Sequence, residues 1–305
     1  MLFLISEYLC SERTARGWTQ QKISEGICEP ETYSRIETGK HAPVKSSMYQ
    51  FAEKLDIPWC YYRGEIVFSS LSAYRIYKKV RRYSNRGLIE DSLYWLERLE
   101  DMLDMTIPVN IQYVEHEKII ALYAMGKVNV KEAYRRCEEL LLLTTELPDE
   151  ERFRYYTQLE LEIIGFIGNL LYKQKRYEDG IEFLEKVLKN QKKSRIVWNY
   201  QWRGLDYPMR IWGDLYFGAT RYEEANAIEF YVMKKCLGRH EAISLPHALD
   251  GIADNYEHMG EQYRDIYKKF YRQTYYAAHF FKFEKEMRFI KKYYEENFDR
   301  EIKWY

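Results

Sequence analysis

Two stretches of the chain share one design: Tyr172-Lys-Gln-Lys-Arg-Tyr-Glu-Asp-Gly-Ile-Glu-Phe-Leu-Glu-Lys-Val-Leu188 and Phe217-Gly-Ala-Thr-Arg-Tyr-Glu-Glu-Ala-Asn-Ala-Ile-Glu-Phe230, in which Tyr222 repeats Tyr177 after 45 residues. Each reads as the end of one helix, a short polar turn, and a second amphipathic helix whose first turn carries acidic residues suited to the helix dipole. A helix pair of this size cannot bury its apolar stripe alone, so it needs a neighbour of the same kind. Weaker copies flank the two: Ala124-Met-Gly-Lys-Val-Asn-Val-Lys-Glu-Ala-Tyr134 before them, His258-Met-Gly-Glu-Gln-Tyr-Arg-Asp-Ile-Tyr267 after them, and Asn85-Arg-Gly-Leu-Ile-Glu-Asp-Ser-Leu93 as the most diverged. Five helix pairs, spaced by roughly 40 to 47 residues, are therefore predicted to stack into a solenoid.

The rest of the chain agrees with an all-α reading. From about residue 68 onward it shows long amphipathic runs, and the whole protein has only seven prolines. With 305 residues, 46% of them hydrophobic, more than one folding unit is expected, and thirty tyrosines suit helices packed with hydroxyls at a wet edge. The last segment, Phe281 to Tyr305, places Phe283, Met287, Ile290 and Tyr294 at helical spacing with no partner repeat. It is expected to cap the solenoid or build a dimer contact. Its glutamates balance its lysines, which argues against a membrane-surface helix.

Several classes are excluded. A net charge of zero argues against broad coating of polyanions. No run approaches the roughly 20 apolar residues of a membrane span, and Met1-Leu-Phe-Leu-Ile5 lacks the basic start and cleavage site of a signal peptide, so a cytoplasmic protein is expected. Cys10, Cys28, Cys60, Cys137 and Cys236 are scattered without a Cys-x-x-Cys pair, which suggests neither a disulfide framework nor a zinc cluster. No phosphate-binding loop, nucleophile elbow or His-Glu-x-x-His helix is present, so no enzymatic activity and no cofactor are expected.

Residues 17 to 43 carry a second, local signal. Thr19 is a good N-cap for a helix with Ile23 inward, and Gly26 marks a sharp turn. A second helix starts near Pro30, whose missing N–H costs nothing at the first helical position, with Glu31 in the first turn. Tyr33 and Ile36 lie three apart and face Ile23 and Ile27, which leaves Glu31, Thr32 and Arg35 pointing out. Gly39 is the expected stop. Ile5 and Leu9 mark a preceding helix, and Met48, Phe51, Ala52 and Leu55 a following one, so a four- or five-helix domain should end near residue 66. Two helices joined by a tight turn are the arrangement that places a helix in the DNA major groove.

These residues resemble the helix-turn-helix domain of the Cro/lambda-repressor superfamily. Ser24-Glu-Gly-Ile-Cys28 followed by Tyr33-Ser-Arg-Ile-Glu-Thr-Gly-Lys40 is more narrowly similar to peptide-responsive regulators of the Rgg, PlcR and PrgX type. The helix pairs resemble tetratricopeptide repeats. The resemblance implies an N-terminal DNA-binding domain over 1–66 and a tetratricopeptide-like domain over 67–305 that binds a signalling peptide and dimerises. Thr19, Gln20 and Lys40, with Lys45, would meet phosphates, while Glu31, Thr32 and Arg35 would read base edges. One feature departs from the pattern: residues 1 to 65 hold eight Lys or Arg against nine Asp or Glu, a formal charge of −1, where a basic footprint is usual.

The first helices of a tetratricopeptide array line its concave wall, so counting back from each turn assigns residues to the groove. The count yields Tyr123; Asn169 and Tyr172; Arg210, Asp214 and Phe217; and Asp250, Asp254 and Glu257, with His116, Ile120, His247 and His258 on the same faces. In the resembled proteins an asparagine at the place of Asn169 holds the backbone of an extended peptide, a task an amide suits because it both donates and accepts. Asp214 replaces that amide in the next repeat, and an acid there favours a peptide N-terminus or a Lys or Arg side chain.

The expectation is thus a homodimeric, quorum-sensing type of transcriptional regulator whose partners are a double-stranded DNA operator and a short signalling peptide. Two alternatives remain. One is an interaction scaffold with a helix-turn-helix that does not read DNA; the other is a metal-dependent enzyme built on the stripe of His247, Asp250, Asp254 and His258.

Overall fold

The Thr19 hydroxyl accepts a hydrogen bond from the Lys22 N–H at 3.1 Å, closing the first turn of a short helix as its sequence position predicts. The computed structural model describes all residues except 1, 39, 42–44, 56–65, 69, 85, 145–155, 193–201, 240–243 and 299–305. Its N-terminal region comprises α1 (Leu2–Ala15), α2 (Gln20–Ser24), α3 (Pro30–Glu37) and α4 (Lys45–Lys54). Gly26 takes a left-handed φ of 77° between α2 and α3, where a side chain would be strained, and Pro30 opens α3.

Leu9, Ile23, Tyr33, Ile36, Phe51 and Leu55 are buried in one cluster, with Trp18, Ile27 and Cys28 at its edge. The Tyr33 and Phe51 rings meet edge-on at 5.0 Å. Each large side chain contributes about 1.5–3 kcal/mol by leaving water. The inward residues expected from the spacing are therefore the ones that hold the domain together. Gly39 and the side chains of Ile5, Lys45 and Met48 lie outside the described residues.

Eleven further helices follow among the described residues: α5 (Leu71–Ser84), α6 (Ile89–Glu100), α7 (Pro108–Ala124), α8 (Val130–Leu141), α9 (Gln158–Lys173), α10 (Tyr177–Lys192), α11 (Trp202–Gly218), α12 (Tyr222–Arg239), α13 (Leu245–Met259), α14 (Arg264–Phe281) and α15 (Glu284–Asn297). Outside the helices the only pairing among described residues is an isolated antiparallel bridge between Phe68 and Leu103. The fold is all-α: a helix-turn-helix domain, then a tetratricopeptide-like array of five helix pairs, α5/α6 to α13/α14, closed by α15.

The repeat is legible atom by atom at its turns. Gly87, Gly126, Lys175 and Thr220 all adopt a left-handed φ between 58° and 70°. In each case the N–H of that residue reaches the carbonyl three back and the next N–H reaches the carbonyl five back, as in Gly126 to Tyr123 at 3.0 Å and Lys127 to Leu122 at 2.9 Å. This is the Schellman closure of a helix C-terminus. The last pair departs from it: Gly260 has φ 118° and leads into a 3₁₀ turn, Glu261–Tyr263.

The chain packs as two compact units, Met1–Leu170 with Phe183–Leu205, and Leu171–Glu182 with Asp206–Tyr305. In the first, α5, α6, α7 and α8 pack successively on one another. The fully buried Asn110 accepts from the Val67 N–H at 2.9 Å and donates to the Asp104 carbonyl at 2.9 Å, fastening the segment that follows α4 to α7. In the second, small residues let helices approach: a Cβ on Gly180 would lie 2.6 Å from a Leu215 methyl, and one on Gly218 would strike the Tyr177 ring. Next, α12, α13, α14 and α15 pack in order. Ile290 and Tyr294 of α15 are buried with Tyr267, Tyr271, Tyr275 and Phe298, and Met287 packs beside them, so the C-terminal stripe covers the last pair.

Candidate nucleic-acid interface and ligand wall

The −1 charge of the N-terminal domain hides an uneven use of its cations. The Arg13 guanidinium donates to Glu37 through Nε at 2.5 Å and Nη2 at 3.2 Å and to the Trp18 carbonyl through Nη1 at 2.6 Å, fastening α1 to α3. That carboxylate raises the guanidinium's affinity for its proton further. Gln20 adds α2 to the same node, its amide donating to Glu37 at 2.7 Å. Arg16 pairs with Glu12 and donates to the Leu55 carbonyl, Lys22 lies over the Trp18 ring at 4.5 Å, and Lys54 donates to the Glu25 carbonyl.

Among the described side chains, Arg35 and Lys40 remain. Both are exposed, and neither forms an ion pair with a described residue. The Lys40 N–H is tied to the Arg35 carbonyl at 2.8 Å, so the chain leaving α3 presents the two cations from one short segment. Glu31 is exposed and Thr32 half-buried on the outer face of α3, and Thr19 is exposed at the start of α2. These are the groups available to a phosphate or a base edge. Thr19 and Gln20 each also serve the domain internally, the first as a cap and the second through Glu37.

The residues assigned to the ligand wall divide between the two units. In the first, Tyr123 of α7 meets Phe166 of α9 edge-on at 6.0 Å, and Asn169, one turn further along α9, is half-buried and makes no hydrogen bond with another described residue. Asn169 therefore keeps its donor and its acceptor free. His116 lies deeper against Phe166, with neither ring nitrogen hydrogen-bonded. Burial, with help from Arg81, pushes its imidazole down to about 3, so it stays neutral at ordinary pH.

In the second unit, Tyr172, Arg210, Asp214 and Phe217 stand with Asp250, Asp254 and Glu257, which follow one another along α13. Asp214 is exposed and the other carboxylates are half-buried. Desolvation raises the Asp214 carboxyl against the opposing pull of Arg210 and Lys173, and it pushes Asp250 up to about 8, with Asp254 and Glu286 adding to the rise. Burial likewise raises Asp254. Desolvation is the common first cause, because removing water from a carboxylate disfavours its charged form.

Two partners seen here have no precedent in the spacing argument. The Tyr271 hydroxyl of α14 lies 2.5 Å from Asp254 and 2.6 Å from Glu257, and the Tyr293 hydroxyl of α15 donates to Glu257, so these two acids are already engaged by the cap. Glu229 of α12 was also not anticipated. It is 3% exposed and shares its stripe with the buried Ala225, Val232 and Cys236. A charged residue on an apolar stripe was the available signal.

The stripe of histidines and aspartates on α13 does not converge on one point. His258 packs edge-on against Phe217 at 4.8 Å and reaches the Asp254 carbonyl through Nδ1, and His247 lies over Phe283 at 6.2 Å. Among the described residues no three His, Cys, Asp or Glu side chains are placed to share a metal ion.

Comparison with known proteins agrees with this arrangement. Residues 11–62 match a family model described as Helix-turn-helix. No curated protein sequence matches the chain. Among solved structures, the chain is similar to Bacillus thuringiensis PlcR in complex with the peptide PapR7 and DNA, with a TM-score of 0.60 at 16% identity, covering 96% of this chain and 98% of that one. It is similar also to ComR from S. thermophilus in complex with DNA and its signalling peptide ComS, with a TM-score of 0.54 at 14% identity and coverage of 94% and 97%. The apo form of ComR from Streptococcus vestibularis gives a TM-score of 0.54 at 13% identity, with 96% and 98% covered. At these identities the likeness establishes a shared fold along nearly the whole chain.

Proposed function

We propose that this protein is a DNA-binding transcriptional regulator whose helical-repeat region binds a short signalling peptide and thereby controls the DNA-binding heads of a homodimer. The observation that carries the reading is the exposure of Arg35 and Lys40 at the outward end of α3, unpaired with any described residue, while four other cations of the same domain serve its own packing. Residues 1–66 would contact DNA and residues 67–305 would bind peptide and dimerise. Arg35, Glu31 and Thr32 read base edges; Lys40, Lys45, Thr19 and Gln20 meet phosphates. Tyr123 and Asn169 hold one part of the peptide. Tyr172, Arg210, Asp214, Phe217, Asp250, Asp254 and Glu257 hold another.

PlcR and ComR, the proteins of similar fold, have been solved with both DNA and a peptide, which supports the same pairing of partners here. The chain would work in the cytoplasm and without a catalytic step; among the described residues no helix is long and apolar enough to cross a membrane. Peptide binding acts only through its difference in affinity for two arrangements of the heads.

Selection of bound fragments from a random duplex library with the full-length protein, repeated with Arg35→Ala, tests the reading. An enriched, two-fold symmetric site that the variant loses supports a dimeric DNA reader. Absence of enrichment at every salt concentration refutes it and leaves an interaction scaffold.

A further inference from the structure

Glu229 occupies a position that apolar packing does not explain. Its carboxyl is buried, and its Oε2 has no hydrogen-bond partner. The group fits into space left by two glycines, Gly213 on α11 and Gly251 on α13: a Cβ on Gly213 would overlap its Oε1, and one on Gly251 would press on it at 3.1 Å. These glycines stand directly beside Asp214 and Asp250. The Glu229 carboxyl therefore lies between the two helices at the level where both aspartates emerge.

Asp250 also has an oxygen, Oδ1, without a partner. The charged groups acting on Glu229 are Asp214, Arg210, Asp206 and Asp250, three acids against one cation. Lys173 faces Asp214, and Glu286 on α15 adds another acid facing Asp250. Burial first, and the neighbouring acids second, raise the affinity of these carboxyls for their protons.

We propose that Asp214 and Asp250, with the Glu229 carboxyl behind them, form the recognition site for one positively charged group of the ligand, either a peptide's N-terminal ammonium or a lysine or arginine side chain. The inference rests on the peptide-binding reading above and specifies the chemistry of that peptide. Asp214 and Asp250, which reach water, make the direct contacts; Glu229 is a positioning residue behind them that adds negative charge when the docked cation draws off its proton. An ammonium or guanidinium donates only, so it matches a wall of acceptors. When the cation docks, a protonated carboxyl of the cluster gives its proton to the buffer and the resulting carboxylate pairs with the ligand. One proton leaves for each carboxyl that ionises.

Four pools of random heptapeptides built from uncharged residues test this with the full-length protein: free N-terminus, N-acetylated, N-acetylated with one Lys or Arg, and N-acetylated with one Glu. Peptides retained through gel filtration are identified by mass spectrometry. The free-amine pool or the Lys/Arg pool should be retained roughly ten- to a hundredfold better than the acetylated neutral pool, the range expected of hydrogen bonds to charged groups. Which of the two is retained identifies the ammonium or the side chain as the source.

Asp214→Asn, at an exposed position that tolerates change, should abolish the preference. Titration calorimetry of a retained peptide in two buffers of different ionisation enthalpy should show proton release that shrinks in Glu229→Gln, a readout that a purely structural role would not move. Equal retention of neutral or acidic pools overturns the inference and leaves peptide binding standing. Retention of no pool overturns both.

Discussion

Lys175 and Thr220 hold the same backbone conformation, φ 58° and 60°, at the turns that join α9 to α10 and α11 to α12. Gly126 holds it at the turn that joins α7 to α8, with φ 70°. For an L-residue this conformation costs about 1–2 kcal/mol, and a β-branched side chain sits at the upper end. Glycine removes that strain but returns about 0.4–1 kcal/mol through the entropy of its unfolded chain. Thr220→Gly should therefore raise stability by about 0.5–1 kcal/mol, while Gly126→Ala, which meets nothing within 4 Å, should lower it by about 1 kcal/mol through backbone strain alone. Urea unfolding of both variants checks the pair. A loss of stability in Thr220→Gly, or none in Gly126→Ala, would mean that the turns are not equivalent.

The Arg13–Glu37 pair joins α1 to α3 with side chains only 14% and 4% exposed. Glu37→Ala leaves a guanidinium with little access to water and removes the acceptor of Gln20, so it should destabilise the N-terminal domain by about 3 kcal/mol. Thermal unfolding followed by near-ultraviolet circular dichroism at Trp18 and Tyr33 reads the effect. A loss below about 1 kcal/mol would show that the pair behaves as a solvated surface contact.

Arg35 and Lys40 should fail in different ways. Arg35→Ala is expected to cost about 1–3 kcal/mol on the selected operator and to relax preference at one base pair. Lys40→Ala should weaken all duplexes alike and reduce the slope of log K against log salt by about 1. Fluorescence anisotropy on a matched and a scrambled duplex across a salt series separates the two roles. Identical salt slopes in the wild type and Lys40→Ala would remove Lys40 from the phosphate contacts.

If the proposed function holds, Asn169→Ala should abolish the effect of a cognate peptide on operator binding while leaving peptide-free DNA affinity unchanged, because the amide makes no hydrogen bond with another described residue and would be available to a peptide backbone. The same anisotropy measurement with added peptide tests it. A preserved response would place the peptide elsewhere.

Stability should fall as pH rises from 7 to 8. Burial, Asp254 and Glu286 lift Asp250 to about 8, whereas an unfolded aspartate titrates near 3.9. Across this window the folded protein binds the extra proton, and a state that binds more protons loses ground as they become scarce. The stabilisation is greatest below the unfolded value and is lost as pH climbs through the folded one, at about 1 kcal/mol per pH unit for this group. His116 and His247, both lowered by burial, act in the opposite sense and are spent below about pH 7. Melting temperatures at pH 7 and pH 8 should therefore differ in the wild type and converge in Asp250→Asn. A gap of the same size in that variant would assign the slope to other groups.

The helix-turn-helix was legible because its signals are local. Thr19, Gly26 and Pro30 act within one turn of chain, and Ile23, Tyr33 and Ile36 need only each other and two flanking helices. The repeat was legible in Tyr177 and Tyr222, whose neighbours Gly218 and Gly180 show why small residues recur nearby. The summed charge of the N-terminal domain was the weaker guide. A sum does not distinguish Arg13, held by Glu37, from Arg35, held by no described residue.

The wall was only partly legible. Counting back from the turns located Asp254 and Glu257, but not Tyr271 and Tyr293, which reach them from 14 to 36 residues further along the chain. Glu229 escaped the count because it belongs to a second helix, where the rule assigns packing residues.

Sequence by itself determined an all-helical chain, the place of its turns, the faces that must be buried and the helix-turn-helix motif, since periodicity, caps and left-handed positions act over a few residues. Tertiary structure alone decided which cations at α3 are left unpaired by the described residues and which carboxyls gather around Gly213 and Gly251. Charge and solvation depend on distance in space, and the groups that set them come from helices far apart in sequence.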